Sequence, residues 1–389
     1  MIQKKILLSF IALFCALGVR GYTDADLRNA NEEIQRLFDE TGMSALGIAV
    51  TRGDSIIYAQ SFGYRVLPDD NHPGELLSND DLFVIASVSK TFIATAIMKL
   101  QEDGMLDIDE DAQKYLPFPL RNPTHPDKVI TIRQLINHTS GINDNRSWWN
   151  IDYINPERDK EYYKCFSDAE PGKEYDYCNM NYTLLGAILE MVAGKRFDEV
   201  IDETIIRPLN IGGSFNVNYI NRSRLTNLYH HDDENGGAMI MNPEYYKPYI
   251  PQIMRNYELG RSLGLEYPAS GMKITPSDLT VFMRMHSNDG EYRGVRIISK
   301  ESEDEMRRNY VGSHNYGLSF RHYQDFIPGK SMYGQTGGSQ GTKTAMIFDP
   351  EEQIGFVIFE SGARTKDRDA YSEVHKPIGQ ILYKYLFSE

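Results

Sequence analysis

The sequence predicts an α+β fold in which an antiparallel sheet, built from both ends of the chain, is flanked by helices and carries a mostly helical inserted region. A hairpin pattern lies near the start of the chain, and three strand patterns follow one another near its end. The residues between them are rich in Tyr, Asn, Asp and Pro. Because a sheet must bury its apolar face against other elements, we expect helices on it. We place the sheet domain at residues 22–110 and 265–389 and the insert at residues 111–264.

Residues 1–21 predict a signal peptide rather than a part of the fold. Lys4 and Lys5 precede an apolar run at residues 6–17, and small residues follow that run. The run is too short to span a bilayer, which takes about 20 residues. We therefore expect an exported chain with no stable membrane insertion after the signal peptide is cleaved.

The first elements predicted after the signal peptide are a hairpin and a helix. Apolar or alternating runs at residues 44–50 and 55–60 flank Arg52-Gly53-Asp54, a pattern typical of a β-hairpin. At residues 88–100 apolar side chains recur at helical spacing, and Gly104 ends the pattern. A buried helix should therefore follow the hairpin closely.

The insert and the end of the chain have different patterns. Helical patterns at residues 132–136 and 181–192 of the insert are separated by long polar connectors. The last strands are predicted at residues 332–336, 342–348 and 354–360, with Gly337-Gly338 and Asp349-Pro350-Glu351-Glu352 as their connections. A closing helix at residues 371–386 contains Pro377, which should kink or start it.

The composition limits the classes of partner. The chain has 41 basic and 55 acidic residues and a net charge of −14, which argues against a nucleic acid bound through a broad basic surface. Its hydrophobic fraction of 41% is that of an ordinary globular protein and argues against intrinsic disorder. A small-molecule substrate is the partner class that remains, and the sequence leaves the oligomeric state undefined.

Two cysteines remain after the signal peptide, Cys165 and Cys178. In an oxidising compartment they form either a disulfide, which would stabilise the fold by about 3 kcal/mol, or two separate buried thiols. The sequence favours neither alternative, since it does not supply the geometry of a bridge.

A candidate nucleophile lies at the start of the predicted helix, in the segment Ser87-Val88-Ser89-Lys90. Residues three apart share one face of a helix, so the Lys90 amine should lie beside the Ser87 hydroxyl. An amine desolvated at a buried helix start can have its pKa lowered enough to take the serine proton. Ser270 and Lys273 have the same spacing, but they lie in a Pro-Gly loop where no helix is predicted. The context therefore favours Ser87 over Ser270, the remaining alternative being a plain helix-capping serine.

Two further motifs support this candidate. Tyr177-Cys178-Asn179 follows the turn Pro171-Gly172 and precedes a predicted helix, and this context distinguishes it from chance Tyr-x-Asn matches elsewhere. The second motif, Gly334-Gln335-Thr336-Gly337-Gly338, places small residues at a predicted strand, where a backbone N–H can face a developing oxyanion. The alternative for this glycine-rich strand end is a simple hairpin turn.

In this order and at these separations, the three motifs resemble those of the serine β-lactamase and penicillin-binding protein family, nearest its class C and esterase branch. The resemblance covers roughly residues 30–387, and supporting phrases such as Asn137-His138-Thr139-Ser140-Gly141 fall between the motifs. It implies a β-lactamase/transpeptidase-like fold with the active site in a cleft between sheet and insert. It also implies no metal and no organic cofactor. Because signal and family both look bacterial, we expect a periplasmic or secreted protein.

The resemblance also implies a role for each site residue. Ser87 would form an acyl-enzyme, with Lys90 and Tyr177 sharing the proton transfer and Asn179 holding the substrate or Lys90. The backbone N–H groups of Ser87 and Gly338 would form the oxyanion hole. The remaining residues expected along the substrate are Gln335, Thr336 and Gly337.

Gln335 departs from the family pattern, which usually has Lys or His at this position. A neutral amide should weaken recognition of a substrate carboxylate by about 1 to 2 kcal/mol. This departure favours an ester, a lactone or an acyl-transfer substrate over efficient β-lactam hydrolysis. Arg364, at another predicted strand end, is the candidate to restore the charge.

The sequence leaves several alternatives open. The same family contains penicillin-recognising β-lactamases and D,D-peptidases, and a non-catalytic binding or sensor module is a further hypothesis. A metal-dependent hydrolase would use His230-His231-Asp232-Asp233-Glu234, although neighbouring residues of an extended loop point in opposite directions. Trp148 and Trp149 either line the edge of the cleft or pack the insert.

Overall fold

The structure is a computed structural model that describes residues 22–232, 238–241, 256–263, 267–339, 341–366 and 370–387. The predicted signal peptide, residues 1–21, lies outside the described residues. The helices are α1 (Asp24–Thr41), α2 (Ser89–Glu102), α3 (Ile132–Ile136), α4 (Asn179–Ala193), α5 (Phe197–Ile201), α6 (Pro276–Ser287), α7 (Lys300–Arg307) and α8 (Lys376–Leu386). The strands are β1 (Ala45–Arg52), β2 (Ser55–Val66), β3 (Glu75–Leu76), β4 (Phe83–Val84), β5 (Tyr229–Asp232), β6 (Ala238–Met241), β7 (Lys273–Ile274), β8 (Glu291–Tyr292), β9 (Val295–Arg296), β10 (Arg321–Tyr323), β11 (Met332–Ser339), β12 (Thr342–Asp349) and β13 (Ile354–Ser361).

The main sheet joins strands from both ends of the described chain. It has seven strands in the order β10-β11-β12-β13-β1-β2-β3. All of its neighbouring strands run antiparallel, and β1 pairs with β13 along its whole length, from Ala45 opposite Ser361 to Arg52 opposite Ile354. The predicted α+β class with an antiparallel sheet built from both termini is therefore confirmed.

The two faces of the sheet carry separate apolar cores, because successive side chains of a strand point to opposite faces. On one face Leu46 and Ile358 belong to a cluster with residues of α1 and α8, among them Ile34 and Leu382. The other face carries Ala49, Val357 and Phe359, which belong to a larger cluster that includes α2, α4 and α6. This second core supports α2, the helix that directly follows the candidate nucleophile Ser87.

The first hairpin and helix agree with their predictions, and the last strands are longer than predicted. Gly337 and Gly338, expected to connect two strands, lie inside β11 and pair with Thr344 and Lys343. That prediction was wrong because glycine is common in turns, whereas here its missing side chain allows another segment to approach the strand. The turn lies further on, at Gly341, whose φ is +81°.

Pro377 marks the start of the last helix rather than a kink. It is in the first turn of α8, where backbone N–H groups have no intrahelical acceptor. The missing N–H of proline therefore costs no helical hydrogen bond there. The preceding residues, Tyr371–His375, form a π-helical turn. The insert contains α3, α4 and α5 together with the unpredicted antiparallel strand pair of β5 and β6, and its boundaries at residues 111–264 stay a prediction.

The two cysteines of the described chain are free thiols, both buried. Cys165 Sγ donates to Tyr153 O at 3.4 Å, whereas Cys178 Sγ donates to Asp144 Oδ1 at 3.2 Å. Burial raises the pKa of the Cys165 thiol to about 11 and raises the pKa of the Cys178 thiol well above its usual range. Of the two open alternatives, the structure therefore has separate buried thiols.

No helix within the described ranges has the length and apolar character needed to cross a membrane.

Candidate active site

Ser87 lies where the chain turns from β4 into α2. Ala86 has a φ of +45°, a left-handed conformation that is uncommon for a residue with a side chain. Ala86 is also the first residue of a 3-10 turn, Ala86–Val88, which leads directly into α2. This turn leaves Ser87 partly exposed while Lys90, one turn further on, is 0% exposed.

The main sheet fixes the backbone on which Ser87 stands. Thr342 Oγ1 donates to Val84 O at 3.2 Å, and Thr344 Oγ1 donates to Ile85 O at 2.7 Å. From the neighbouring strand, the Cα of Gly337 approaches so closely that a Cβ there would lie 2.7 Å from Ser87 N and 2.7 Å from Ile85 O. The strand β11 and the nucleophile turn are therefore held in direct contact.

The Lys90 amine is held beside the nucleophile by polar contacts from three parts of the chain. Its Nζ lies 3.0 Å from Ser87 Oγ, 2.8 Å from Asn179 Oδ1 and 2.9 Å from Ala269 O. The spacing of Ser87 and Lys90 in the sequence therefore brings their reactive atoms together, as predicted.

These contacts suit both protonation states of the amine. The oxygens of Asn179 and Ala269 only accept, so a neutral amine can donate its two hydrogens to them. Its lone pair then remains for the hydroxyl proton of Ser87. After the proton has moved, the ammonium group has three hydrogens for the same neighbours. The geometry thus matches a proton transfer between Ser87 and Lys90.

Asn179 is the first residue of α4, and its amide orientation is set by Asp144. Asp144 Oδ2 accepts from both Asn179 N and Asn179 Nδ2 at 2.8 Å, and Asp144 Oδ1 accepts from Met180 N at 3.0 Å. Because Nδ2 is committed to Asp144, Oδ1 faces Lys90. Asp144 therefore caps α4 and positions the residue that holds the amine.

Tyr177 lines the cavity beside Ser87, and its ring centroid lies 5.0 Å from Lys90 Nζ. His138 packs against it with ring centroids 4.3 Å apart, and His138 Nδ1 accepts from Cys178 N at 3.2 Å. Burial, together with the nearby Lys90 charge, lowers the pKa of His138 well below its usual range. The imidazole is therefore neutral and packs against Tyr177 without adding a positive charge to the site.

A cavity of about 300 Å³ opens above Ser87. Its lining residues are Ser87, Tyr177, Tyr316, Arg321, Gln335, Thr336 and Gly338. The cavity thus collects residues of all three sequence motifs. Of the remaining predicted site residues, Asn179 lies behind it on Lys90, and Gly337 lies against the Ser87 backbone.

The side-chain amide of Gln335 forms a hydrogen bond inside the protein. Its Nε2 donates to Tyr316 Oη at 3.0 Å, and the Gln335 side chain is buried. Burial and the neighbouring Tyr182 phenol raise the pKa of Tyr316 well above its usual range, so that Tyr316 stays neutral. This amide therefore positions a neutral phenol at the cavity wall.

Among the described residues that line the cavity, the cation is Arg321, from β10, and not Arg364, which the sequence left open as an alternative. Arg364 lines a separate cavity of about 440 Å³, which Glu360 and His230 also line. Arg321 lines the Ser87 cavity and pairs through its backbone with Gly334 of β11. Arg321 reaches the site because β10 is the edge strand that pairs with β11. The sequence did not predict this pairing, so it did not indicate which arginine reaches the site.

The other sequence candidates lie elsewhere. Lys273 Nζ donates to Phe215 O at 2.6 Å, away from the Ser270 hydroxyl. His231 donates from Nε2 to Gly42 O at 3.1 Å, whereas Asp233 and Glu234 lie outside the described residues. In the part of the chain that the structure describes, no group of three or more His, Cys, Asp or Glu side chains is arranged to hold a metal ion.

Sequence reasoning missed three residues of the site. Tyr316 and Arg321 belong to a loop and a short strand that carry no motif, and no local signal identifies them. Asp144 follows the phrase Asn137-His138-Thr139-Ser140-Gly141, and its position just after that phrase was the available signal.

The tryptophans Trp148 and Trp149 contact each other at 5.8 Å between ring centroids and are not among the lining residues of the Ser87 cavity.

Comparison with known proteins identifies relatives that match part or most of this chain. Over 307 residues, 74% of either chain, this sequence is 27% identical to penicillin-binding protein 4 of Amycolatopsis lactamdurans. It is 30% identical to a penicillin-binding protein of Bacillus subtilis (strain 168) over 200 residues, but that match spans only 40% of the Bacillus protein. With protein flp of Staphylococcus aureus (strain MRSA252) the chain shares 29% identity across 33% of that protein's length.

Solved structures with this fold include the octameric penicillin-binding protein homologue of Pyrococcus abyssi, with a TM-score of 0.73 and 23% identity over 93% of this chain and 79% of that one. EstCE1, a hydrolase with promiscuous acyltransferase activity, gives a TM-score of 0.70 and 20% identity over 92% of this chain and 100% of that one. At these identities the likeness is one of fold. The Beta-lactamase family model matches residues 30–376, so the chain belongs to the β-lactamase family of serine hydrolases.

Proposed function

We propose that this protein is a serine hydrolase or acyltransferase that forms an acyl-enzyme on Ser87. Its substrate would be an ester, a lactone or a similar small acyl compound, and the acyl group would pass to water or to an alcohol. The observation that carries this proposal is the position of Lys90 Nζ, 3.0 Å from a Ser87 hydroxyl that faces the cavity. A nucleophile and base within hydrogen-bond reach, with the base oriented by a third group, are the requirements for covalent catalysis.

Acylation begins when Ser87 Oγ attacks the substrate carbonyl carbon and its proton passes to Lys90, with Tyr177 next to both. The carbonyl oxygen becomes an oxyanion, for which the backbone N–H groups of Ser87 and Gly338 are the nearby donors. Collapse of this intermediate breaks the bond to the leaving alkoxide. The alkoxide takes the proton back through Tyr177 or Lys90, and the acyl group stays on Ser87.

Deacylation repeats these steps with a second nucleophile. Water or an alcohol attacks the acyl carbon, gives its proton to the same Lys90 and Tyr177 pair, and releases Ser87 with its hydroxyl proton restored. Water yields a carboxylic acid, whereas an alcohol yields a new ester. The acceptor that reaches the cavity first therefore decides between hydrolase and acyltransferase.

Two observations support an ester or acyl-transfer substrate over a β-lactam. Gln335 is neutral where the family usually has a cation, and its amide is engaged with Tyr316. EstCE1, which shares the fold, is a hydrolase with promiscuous acyltransferase activity. Two hypotheses compete with this proposal: a penicillin-recognising β-lactamase or D,D-peptidase, and a non-catalytic binding module. Turnover of the acyl-enzyme distinguishes an enzyme from a binding module, and the acyl donors that react distinguish the enzymes.

We also propose that the protein works outside the cytoplasm, in the periplasm or after secretion. The basic start and apolar run of residues 1–21 support this. Expression in a bacterial host should then yield a mature chain lacking these residues, as measured by its intact mass. An uncleaved chain in the cytoplasm would contradict export.

Intact-protein mass spectrometry tests the proposed chemistry. The protein is mixed briefly with p-nitrophenyl esters or a cephalosporin, with and without an alcohol. We expect a mass increment of one acyl group that decays in water, and decay that the alcohol accelerates marks acyl transfer. Ser87→Ala should abolish the increment.

The matched control is Ser270→Ala, which removes the second serine at the same spacing to a lysine. This variant should keep the increment on Ser87. A folded wild-type protein that gains no increment from any donor would refute the acyl-enzyme. A cephalosporin adduct that never turns over would favour the non-catalytic binding module.

A further inference from the structure

A second cavity, of about 440 Å³, shares no described lining residue with the Ser87 cavity. Its lining includes Lys343 of β12 and Glu360 of β13, which lie opposite each other in the sheet. Glu360 also pairs with Leu46, which belongs to the core with α1 and α8. Residues paired across antiparallel strands share a face, so Lys343 and Glu360 are on the face that α1 and α8 cover. The Ser87 turn lies on the other face, where Thr344 donates a hydrogen bond to it.

This second cavity, which we call the Glu360 cavity, is lined by charges of both signs. The basic side chains are Lys343, Arg364 and Lys366, and the carboxyl groups are those of Glu360 and Glu373. Its volume is within the range of cavities that bind small molecules. A lining with both charges suits a ligand that also carries both.

The Glu360 carboxyl group is buried at the wall of this cavity, with one oxygen unpartnered. Glu360 is 1% exposed, and its Oε2 accepts from Ala363 N at 2.9 Å. Its Oε1 has no hydrogen-bond partner among the residues that the structure describes. An unpaired polar atom in a protein interior costs free energy, and a ligand that donates to it removes that cost. Glu360 Oε1 is therefore an acceptor that a ligand in the cavity can use.

Lys343 does not supply the missing partner, although it lies directly opposite on β12. Side chains at such positions have Cβ atoms about 4.5 to 5.5 Å apart. In the described part of the chain, however, Lys343 forms no ion pair with Glu360, and its Nζ donates instead to Ala363 O at 3.4 Å and to Thr365 Oγ1. An ammonium group has three hydrogens, so a third remains for a ligand. An acceptor and a cation thus face one cavity without contacting each other.

We propose that the Glu360 cavity binds a small zwitterion of the α-amino acid class. The ammonium group of the ligand donates to Glu360 Oε1, and its carboxylate accepts from Lys343 Nζ. Such a ligand joins two opposite charges that do not reach each other directly. The exposed cations Arg364 and Lys366 attract the ligand carboxylate further. This site is independent of the acyl-enzyme proposed for Ser87, because it lies on the other face of the sheet.

Isothermal titration calorimetry tests the ligand class. The protein carries Ser87→Ala, so that no ligand is consumed at the other cavity. The probes are L-alanine and D-alanine, together with propionate, which lacks the ammonium group, and ethylamine, which lacks the carboxylate. We expect at least one enantiomer of alanine to bind at least about 10-fold more tightly than propionate or ethylamine, because each of these loses a charge-assisted hydrogen bond.

Variants in the same background then assign the binding to this cavity. Glu360→Gln and Lys343→Met should each weaken alanine binding at least about 10-fold, because each removes one of the two charges that the ligand contacts. The matched controls are Glu351→Gln and Lys300→Met, which change exposed side chains outside the cavity. Both controls should bind alanine as the parent protein does.

Three results would overturn the proposal. The first is that neither enantiomer of alanine binds measurably at millimolar concentration. The second is that propionate or ethylamine binds as tightly as alanine, which would mean that the ligand needs only one charge. The third is undiminished alanine binding by Glu360→Gln, which would place the binding elsewhere. If Lys343→Met fails to fold, Glu360→Gln decides, because its neutral amide has the size of the carboxyl group that it replaces.

Discussion

At the start of α4, Asp144 accepts hydrogen bonds from the backbone and the side-chain amide of Asn179. The carboxylate does not line the Ser87 cavity, so it acts through another residue. By fixing which end of the Asn179 amide faces Lys90, it sets the direction in which the amine can donate. Asp144 is therefore a positioning residue for the proposed proton transfer.

Replacing Asp144 by Asn should impair the proton transfer more than substrate binding. The new side-chain amide would face the donors of Asn179 and Met180, so the Asn179 amide would lose its fixed orientation. We expect kcat to fall about 10- to 100-fold and the KM of a p-nitrophenyl ester to change little. We also expect the pH profile of kcat to shift, since the contacts of Lys90 change.

The control for this prediction is Asp168→Asn, which changes an exposed carboxylate of the same insert. It should leave kcat and its pH profile unchanged. If Asp144→Asn lowered only the melting temperature and left the pH profile of kcat in place, its role would be limited to capping the helix, which is worth about 1 kcal/mol.

The residues that could be predicted are those that belong to short local motifs. Ser87 and Lys90 are three positions apart, and helix geometry alone brings them together. Asp144 is 35 positions from Asn179, and Arg321 reaches the cavity through a strand pairing. Such contacts depend on the path of whole loops, which the sequence of one chain does not specify.

At the scale of elements, the site depends on how closely β11 approaches the turn before α2. Gly337 makes this approach possible, because any Cβ would meet backbone atoms of Ser87 and Ile85. Backbone atoms are held by their own hydrogen bonds and yield less readily than the end of a flexible side chain. The contact therefore constrains the distance between the nucleophile and the expected oxyanion donor.

Gly337→Ala should separate these two elements and lower the rate of Ser87 acylation by at least about 100-fold. A misplacement of about 1 Å is enough to cause a loss of that size. The measurement is the burst rate with a p-nitrophenyl ester, together with circular dichroism to show that the sheet is retained.

Gly312→Ala is the matched control, because a Cβ at Gly312 meets no atom within 4 Å. This variant should acylate at the wild-type rate. Equal burst rates for Gly337→Ala and the wild type would show that β11 tolerates displacement from the Ser87 turn.

The same glycine explains why one element was mispredicted. Gly-Gly pairs are typical of turns, so the sequence indicated a strand end at Gly337. The structure continues the strand because its neighbour is a backbone turn rather than solvent. The strands β12 and β13 were predicted correctly, since their nearly continuous apolar runs reflect burial on both faces and not a special contact.

At the scale of the whole molecule, a buried carboxyl links stability to pH. Glu360 is 1% exposed on β13, and burial raises its pKa to about 7 while the Lys343 charge opposes that rise. Its Oε2 accepts from Ala363 N at 2.9 Å, whereas Oε1 has no hydrogen-bond partner among the described residues. Because the folded state holds this proton more tightly than the unfolded state, the carboxyl costs stability as pH rises from about 4.5 to about 7.

Glu360→Gln should remove that cost. Relative to the wild type, the variant should gain about 2 kcal/mol in free energy of unfolding between pH 5 and pH 8. Urea unfolding at both pH values measures the difference. Glu351→Gln, at an exposed site of the neighbouring turn, is the control and should change it by less than about 0.5 kcal/mol. An equal stability difference at both pH values would mean that Glu360 does not titrate in this range.

The pairing of β1 with β13 also determines when activity can arise during synthesis. Ser44 and Ser361, which hydrogen-bond at one end of this pairing, lie 317 positions apart. At about 5 to 20 residues per second, a ribosome needs roughly 15 to 60 s to make the intervening chain. For most of that interval, from the synthesis of Ser87 onward, the nascent chain carries Ser87 without the complete sheet that borders its cavity. If Ser87 forms the proposed acyl-enzyme, we therefore expect newly made chains to stay unreactive toward acyl donors until their last strands have emerged.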